Sequence, residues 1–255
     1  MKPISRRSML GQAGWLGSTA AVALPLLAAG AEPTPPPVPR KLKVVVTGGH
    51  PGDPECGCGG TIARYTDAGH EVTLLYLNCG EPDAPTHLGV TGVRIAEARV
   101  ACDILKGRPL FARQIDGHAI VDAAHYAEFR EQLEKVQPDV VFTHWPIDNH
   151  ADHRAMSNLV YDAWHKGGKR FALYYYEVSN GEDTVQFAPT HYVDISATEP
   201  RKRKACFAHA SQRPEKFYAL QETITKMRGI ESGHAQAEGY IRHVQSRDFG
   251  LPLVG

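Results

Sequence analysis

Short runs rich in β-branched residues alternate with segments of helical periodicity along this chain from Lys41 onward. Strands are predicted at 42–47, 71–77, 109–115, 139–143, 172–178 and 191–195, and helices at 57–68, 93–106, 122–136, 197–210 and 214–228. Strand–helix–strand repeats of this length require parallel strands joined by right-handed crossovers. The sequence therefore predicts a single α/β domain, in which a doubly wound, mostly parallel sheet carries helices on both faces.

The composition narrows the classes of function. The chain has 255 residues, 42% of them hydrophobic, which is long enough for one large domain and too apolar for a disordered chain. Lys and Arg together number 28, as do Asp and Glu, so the formal net charge is zero. Because nucleic-acid-binding proteins normally carry a basic excess, we expect no nucleic-acid partner. Thirteen histidines point instead to a metal or acid–base site.

The first 31 residues have the features of an export signal. Arg6 and Arg7 precede an Ala-rich apolar stretch, which ends in the small-x-small cleavage motif at 29–31. Ser5–Leu10 resembles the twin-arginine pattern. An amphipathic helix of the folded domain or an uncleaved anchor is the alternative, and Pro25 within the apolar stretch weakens both.

We therefore expect three parts. Residues 1–31 form a twin-arginine export signal, 32–40 a Pro-rich linker and 41–255 the folded domain. The protein is predicted to be periplasmic or secreted, without stable membrane insertion. The sequence leaves its oligomeric state open.

The chain contains five cysteines: Cys56, Cys58, Cys79, Cys102 and Cys206. An odd number in an exported chain leaves at least one thiol without an intramolecular disulfide partner. We expect most of the five to be small buried residues, and the sequence leaves room for one disulfide.

Two polar segments follow strands of the predicted sheet. The segment 48–55 (GGHPGDPE) comes directly after the first strand, and 144–154 (HWPIDNHADHR) directly after the strand 139–143. Ligands of such sheets bind outside the carboxyl ends of the strands, where these segments are expected to meet. Imidazole and carboxylate groups are ligands of Zn²⁺, which keeps one position open for water in catalytic sites. A zinc site is predicted there, and another divalent transition metal would accept the same ligands.

The same segments resemble a known family. The run 50–55 (HPGDPE), followed by Gly57-Cys-Gly-Gly, is similar to the His-Pro-Asp-Asp-Glu signature and glycine-rich helix start of the LmbE-like, or PIG-L, deacetylases. The run 150–153 (HADH) resembles their His-Pro-Asp-His motif, and Arg94-x-x-Glu97-Ala98 their Arg-x-x-Glu-Ala helix. The resemblance runs from about residue 44 to 158, and more loosely through 209–212. It implies a Rossmann-like fold and a zinc-dependent hydrolase that removes N-acetyl groups from amino sugars.

The resemblance also implies roles for single residues. His50, Asp53 and His153 would hold the metal. His150 would lie beside the scissile amide, where it polarises the carbonyl or protonates the leaving amine.

Further residues are candidates for the substrate site. By the same resemblance, Arg94 would contact the sugar, and Asp152 would orient an imidazole from outside the metal's ligand set. His144 and Trp145 open the second polar segment. They either line the sugar site by stacking or cap the strand end, and the sequence does not decide between these alternatives.

Gly52 departs from the family pattern. The family has an aspartate at this position, which is the proposed base for the attacking water. Loss of a positioned base without replacement costs roughly 10²–10⁴ in rate. Two carboxylates would replace it: Asp148 on the facing loop, which we prefer, or Glu55, for which bracing the loop or contacting substrate is the favoured role.

Three functions follow. The leading one is an exported metal-dependent amidase that removes N-acetyl groups from an N-acetylglucosamine-type glycan or glycoconjugate. The alternative is a metal-binding, carbohydrate-binding protein of the same fold that lacks turnover because of Gly52. A nucleotide-cofactor enzyme is disfavoured, since the loop after strand one lacks G-x-G-x-x-G and its Asp53 and Glu55 would repel a pyrophosphate.

The sequence also predicts the environment of a run of tyrosines and of a basic run. Tyr174–Tyr176 lie in a strand, so the outer two are predicted to point to one face and the middle one to the other, all in core packing. The basic run Arg201–Lys204 is predicted to form a solvated helix face. A substrate contact from Lys204 or from 209–212 stays open.

Overall fold

The structure is a computed structural model that describes residues 40–80, 88–178, 183–248 and 251. The predicted export signal, and the linker apart from Arg40, lie outside these ranges. Among the helices that are described, none is long and apolar enough to cross a membrane.

The described ranges contain seven strands and six α-helices. The strands are β1 (Lys43–Gly48), β2 (Glu71–Asn78), β3 (Arg108–Gln114), β4 (Val140–His144), β5 (Ala172–Tyr176), β6 (His191–Asp194) and β7 (Ala237–Arg242). The helices are α1 (Asp53–Asp67), α2 (Leu88–Leu105), α3 (Ala123–Val136), α4 (Ala151–Lys166), α5 (Glu199–Phe207) and α6 (Tyr218–Ser232). Two short 3₁₀ helices, Ala210–Gln212 and Pro214–Lys216, join α5 to α6.

The strands form one mixed sheet in the order β3-β2-β1-β4-β5-β7-β6. Strands β1 to β5 pair in parallel, and β7 runs antiparallel to both β5 and β6. From β1 the chain winds outward through β2 to β3, and then returns to β4 on the other side of β1. The direction of winding therefore reverses between β1 and β4, which is where ligands of such sheets bind.

Alternate residues of the central strands pack on opposite faces of the sheet. Val44 and Val46 of β1 belong to the core that α1, α2 and α5 cover, whereas Val45 belongs to the core covered by α3 and α4. Helices on both faces confirm the predicted Rossmann-like, doubly wound architecture.

The tyrosines of β5 behave as predicted. Tyr174 and Tyr176 pack in the first of these cores and Tyr175 in the second, and all three are buried. The strand is therefore covered on both faces, as its run of apolar and aromatic residues requires.

The differences from the sequence prediction include the start of one helix and two elements that were not predicted. Helix α1 begins at Asp53 rather than at 57, because Pro54 occupies the first turn, where its missing N–H costs no helical hydrogen bond. No helix was predicted over 151–166, where α4 lies, because the polar segment 144–154, which contains its start, was interpreted as a loop. Strand β7 was also not predicted, since its sequence, AEGYIR, carries a glutamate and a glycine.

One expectation about surface charge is wrong. Lys202, within the basic run 201–204, is buried, and its Nζ lies 2.7 Å from Oε1 of Glu238, with both side chains 2% exposed. The Glu238 carboxylate also accepts hydrogen bonds from the backbone N–H groups of Gly60 (2.9 Å) and Thr61 (2.8 Å) in α1. A buried ammonium needs such a partner, so the run is not a uniformly solvated face.

Candidate active site

The two polar segments meet at the carboxyl ends of β1 and β4. These strands are direct neighbours, with Val46 opposite Phe142 in the register. The N–H of Gly49, just after β1, donates to Nε2 of His144, the last residue of β4, at 2.9 Å. Gly49 is required here, because a Cβ at this position would lie 2.9 Å from the ring of His153.

Asp53 lies at the centre of the cluster. Its Oδ2 is 3.3 Å from Nδ1 of His50 and 3.3 Å from Nε2 of His153. The same oxygen accepts the backbone N–H of His50 at 2.8 Å and lies 3.3 Å from Nε2 of His144. Burial would raise the pKa of Asp53, but the surrounding imidazoles lower it well below its ordinary value.

The remaining nitrogens of His50 and His153 face carboxylates. Nδ1 of His153 lies 3.2 Å from Oδ2 of Asp148. Nε2 of His50 lies 3.0 Å from Oδ1 of Asp116 and 3.2 Å from Oδ2 of Asp152. A carboxylate behind the imidazole is the usual arrangement around metal-ligating histidines. It leaves Nδ1 of His50 and Nε2 of His153 directed towards Asp53.

The donor set fits a divalent metal. The potential ligand atoms of His50, His150 and His153 lie within 4.8 Å of one another, as do those of Asp53, His144 and His153. A third such group consists of His50, Asp116 and Asp152. The predicted set of His50, Asp53 and His153 takes its members from the first two groups, which share His153. Nitrogen and carboxylate oxygen are the donors that Zn²⁺ uses in catalytic sites.

The charges in the cluster favour a cation. Burial would lower the pKa of His50, but the carboxylates around it, Asp53 foremost, raise it well above its ordinary value. For His153, burial likewise lowers the pKa, and Asp53 and Asp148 outweigh it and raise the pKa to about 9. The carboxylates thus favour a positive charge on these imidazoles, and a bound metal would compete with protons for the same nitrogens.

Asp152 occupies the position expected of a residue that orients an imidazole. Besides its contact with His50, its Oδ2 accepts hydrogen bonds from the side chain of Asn78 (3.0 Å) and the N–H of Gly117 (2.8 Å). Burial would raise its pKa, but His50 and the hydrogen bond from the N–H of Gly117 lower it to about 2.

Asp148 does not lie where the preferred replacement base should be. Its Oδ1 accepts the N–H of His150 at 2.7 Å, and its Oδ2 accepts the hydroxyl of Thr184 at 2.9 Å and faces His153. It is buried behind His153 and does not border the cavity that His50 and Arg94 line. This geometry favours a role for Asp148 in orienting His153 over the predicted role of base.

The carboxylate of Glu55 is engaged by neighbouring groups on both oxygens. Its side chain is fully buried, its Oε2 accepts the N–H of Gly52 at 3.1 Å, and its Oε1 accepts the hydroxyl of Tyr76 at 2.6 Å. Nε2 of His209 lies 3.1 Å from the same Oε1. These contacts match the second role predicted for Glu55, that of bracing the loop.

Gly52 has a backbone conformation that only glycine adopts readily, with φ 114°. It caps α1, and a Cβ at this position would lie 3.7 Å from the ring of His209. The departure from the family pattern therefore comes with a backbone that disfavours an aspartate at this position.

His150 borders the cavity, and its hydrogen bond to the backbone indicates which ring nitrogen carries the proton. It is the N-cap of α4, where its Nδ1 accepts the N–H of Asp152 at 3.2 Å. Burial and the neighbouring imidazoles lower its pKa, which favours the neutral ring. Because Nδ1 accepts, the ring proton resides on Nε2, which makes His150 a hydrogen-bond donor.

Arg94 also borders the cavity. Its guanidinium donates to the carbonyl oxygens of Pro51 (3.1 Å) and Gly80 (3.4 Å), and lies 3.9 Å from Asp116. It holds the loop between β1 and α1 in place, and its positive charge faces the same space as His50.

His144 and Trp145 are placed away from this space. His144 is fully buried, stacks on His153 with ring centroids 3.9 Å apart, and accepts the Gly49 N–H. Burial lowers its pKa to about 4. Trp145 packs edge-on against Tyr175. Stacking on a sugar does not fit these positions, whereas capping of the strand end does.

The cluster opens into a cavity of about 370 Å³, which is within the size range of small-molecule sites. Its polar wall includes His50, Asp53, Arg94, Asp116, His150, His153, Asp183 and His209. Asp116, Asp183 and His209 were not assigned to the site from the sequence, apart from the contact left open for 209–212. Asp116 follows β3, so the rule that pointed to the other two strand ends would have found it.

Fold and site together define a doubly wound α/β protein with a histidine–carboxylate cluster at the point where the strand order reverses. The family model described as PIG-L, GlcNAc-PI de-N-acetylase, matches residues 45–164. A diacetylchitobiose deacetylase from Thermococcus kodakarensis is 32% identical over 225 residues, which cover 79% of this chain and 83% of the relative. The chain belongs to the PIG-L, or LmbE-like, family.

Solved structures agree with the fold. The conserved protein TT1542 from Thermus thermophilus superposes with a TM-score of 0.70 at 26% identity, covering 82% of this chain and 99% of that protein. The N,N'-diacetylchitobiose deacetylase from Pyrococcus horikoshii superposes with a TM-score of 0.68 at 23% identity, covering 79% and 83%.

Proposed function

We propose that this protein is a metal-dependent deacetylase that hydrolyses the N-acetyl group of an N-acetylglucosamine-type sugar. The observation that carries the proposal is the convergence of His50, Asp53 and His153 at the wall of one cavity, with a carboxylate behind each imidazole. Membership of the PIG-L family and the diacetylchitobiose deacetylase relative support the class of substrate.

His50, Asp53 and His153 would hold the metal, with Zn²⁺ as the proposed ion. A metal held there supplies Lewis-acid activation of water and of the scissile carbonyl. Asp148 and Asp152 keep the two imidazoles in the orientation that this requires.

Other residues act on the amide itself. His150, neutral and protonated on Nε2, would donate a hydrogen bond to the carbonyl oxygen, and the proton that the base accepts from the attacking water would pass to the leaving amine. Arg94 would contact hydroxyl groups of the sugar, since its guanidinium borders the cavity.

Asp183 is the proposed proton acceptor in place of the residue absent at Gly52. It borders the cavity, and its carbonyl oxygen accepts the N–H of Asn149 at 2.8 Å, which ties it to the loop that precedes His150. Burial, together with the nearby carboxylates of Asp148 and Asp53, raises its pKa above its ordinary value, which suits a group that must take up a proton.

The test measures metal and acetate together. Purified protein is assayed for bound zinc, and acetate release from N-acetylglucosamine and N,N'-diacetylchitobiose is followed before and after removal of metal by a chelator. Chelation should abolish release and added zinc should restore it. Sugar binding without acetate release would instead identify a binding protein that has lost turnover through Gly52.

Export is proposed on the residues of the N-terminus. Changing Arg6 and Arg7 together to Lys should leave the precursor in the cytoplasm, while folding stays unaffected. Unchanged export of that variant would indicate the general secretion route.

A further inference from the structure

Two cysteine sulfurs lie side by side at the edge of the cavity. Cys56 is in the first turn of α1 and Cys206 near the end of α5, 150 residues further along the chain. Their Sγ atoms are 3.0 Å apart, and the two residues are 5% and 0% exposed. Both residues border the cavity.

The two helices approach closely at this point. One turn along α1 from Cys56 is Gly59, where a Cβ would lie 2.9 Å from Cγ and 3.3 Å from Cα of Lys202. Lys202 is itself one turn before Cys206. The absence of a side chain at Gly59 lets the backbones approach, so that the short side chains of the two cysteines meet.

We propose that Cys56 and Cys206 form a disulfide under oxidising conditions. A disulfide bond is about 2.05 Å long, so closure requires the sulfurs to approach by roughly 1 Å. Rotation about the two Cα–Cβ bonds is the least costly way to supply that movement. The proposal is independent of the proposed enzymatic function.

The oxidant is an external disulfide such as oxidised glutathione. Cys56 loses its proton, and its thiolate attacks one of these sulfurs and releases a glutathione thiolate, which takes up a proton; a mixed disulfide remains on Cys56. Cys206 then loses its proton, attacks the Cys56 sulfur and releases the second glutathione thiol. Two protein thiols are oxidised and one glutathione disulfide is reduced to two thiols.

The order of attack follows from the surroundings. Cys56 keeps a little exposure towards the cavity, whereas Cys206 has none. Burial and the adjacent sulfur raise the pKa of Cys206 well above its ordinary value, which makes it the slower thiol to ionise.

The remaining buried cysteines have other neighbours. Cys102 has its sulfur 3.4 Å from the hydroxyl of Tyr76, and Cys58 lies beside Tyr240. Cys56 with Cys206 is therefore the pair to which the geometry points.

The bond would reinforce one wall of the cavity. Cys56 follows Glu55 in the chain and His209 lies three residues after Cys206, and these two neighbours already contact each other at 3.1 Å. A covalent link beside that contact would fasten the end of α5 to the start of α1, from which Asp53 projects.

The experiment compares fully reduced protein with protein incubated with oxidised glutathione. After denaturation, the free thiols are counted by their reaction with a maleimide. The linkage is located by mass spectrometry of a non-reduced digest. We expect two fewer thiols, a cross-linked pair of peptides that contain Cys56 and Cys206, and a melting temperature higher by roughly 4–15 °C. Reduction should reverse all three changes.

Two cysteine variants test whether the cross-link depends on Cys206. Cys206→Ser should abolish the cross-link and the rise in melting temperature, whereas Cys79→Ser should keep both. Retention of all five thiols, a link between another pair, or a lasting glutathione adduct on Cys56 would overturn the proposal. The peptide map of the wild type decides even if Cys206→Ser does not fold.

Discussion

Nδ1 of His153 lies 3.2 Å from the carboxylate of Asp148, and Nε2 of the same ring lies 3.3 Å from the carboxylate of Asp53. The imidazole is thus held between two acids. One of them borders the cavity and the other is buried behind it, so they are expected to contribute differently to metal binding and to catalysis.

Asp148→Asn should weaken zinc binding by about 10–100-fold, because the imidazole of His153 loses the acid that orients it. Competition with a chromogenic chelator measures this affinity. At saturating zinc, kcat should remain within a few-fold of the wild type. A loss of about 10²-fold or more at full zinc occupancy would return Asp148 to the role of base.

Asp183→Asn should lower kcat and leave zinc binding unchanged, which is the opposite of the effect expected for Asp148→Asn. If Asp183 accepts the proton of the attacking water, kcat should fall by about 10²-fold or more, while zinc stoichiometry and KM stay near wild type. Steady-state acetate release, with zinc measured on the same sample, tests this. An unchanged kcat would remove Asp183 from the mechanism without affecting the metal site.

His50→Ala, Asp53→Ala and His153→Ala should each reduce bound zinc well below one ion per chain, since each removes one of three ligands. Elemental analysis after gel filtration provides the measurement. His165→Ala, at an exposed position near the end of α4, is the matched control and should retain zinc. Full occupancy in any of the first three would exclude that residue from the ligand set.

Gly52→Ala should lower the free energy of unfolding by about 1–3 kcal/mol, because alanine is strained at a φ of 114°. Chemical denaturation measures the change. Gly92→Ala in α2, where a Cβ would meet no atom within 4 Å, should instead raise stability by about 0.5–1 kcal/mol. Equal effects at the two positions would contradict a conformational requirement at Gly52.

Lys202→Met should destabilise the fold by about 3–5 kcal/mol, because it leaves the Glu238 carboxylate buried without its ion-pair partner. Lys204→Met, in the same helix but exposed, should stay within about 0.5 kcal/mol of the wild type. Urea unfolding of the two variants side by side measures the difference. Similar curves would show that the buried pair contributes little.

The sequence predicts well those features that depend on the pattern of residues within one segment. Alternating periodicity placed β1 to β4 and three of the crossover helices, and the rule on strand ends brought His50, Asp53 and His153 to one location. These inferences need only the direction of each strand.

The features that it misses depend on contacts between distant segments. Nothing near Asp148 shows that its side chain is occupied by Thr184, and nothing near Lys202 indicates Glu238. Asp183 reaches the cavity only because the chain after β5 returns to the loop before α4. Choosing a base among these carboxylates therefore needs the tertiary arrangement, which sequence spacing does not supply.

The late position of Glu238 in the chain affects the order in which parts of the domain can fold during synthesis. Among the described strands, Glu238 belongs to the last to be synthesised, yet its carboxylate accepts hydrogen bonds from α1, the helix that starts at the cluster around Asp53. Until β7 has emerged, Lys202 lacks the Glu238 carboxylate, so closure of α5 over α1 would bury its ammonium without the ion-pair partner. The N-terminal half of the sheet can form earlier, but the cavity acquires its final walls only when nearly the whole domain has been made.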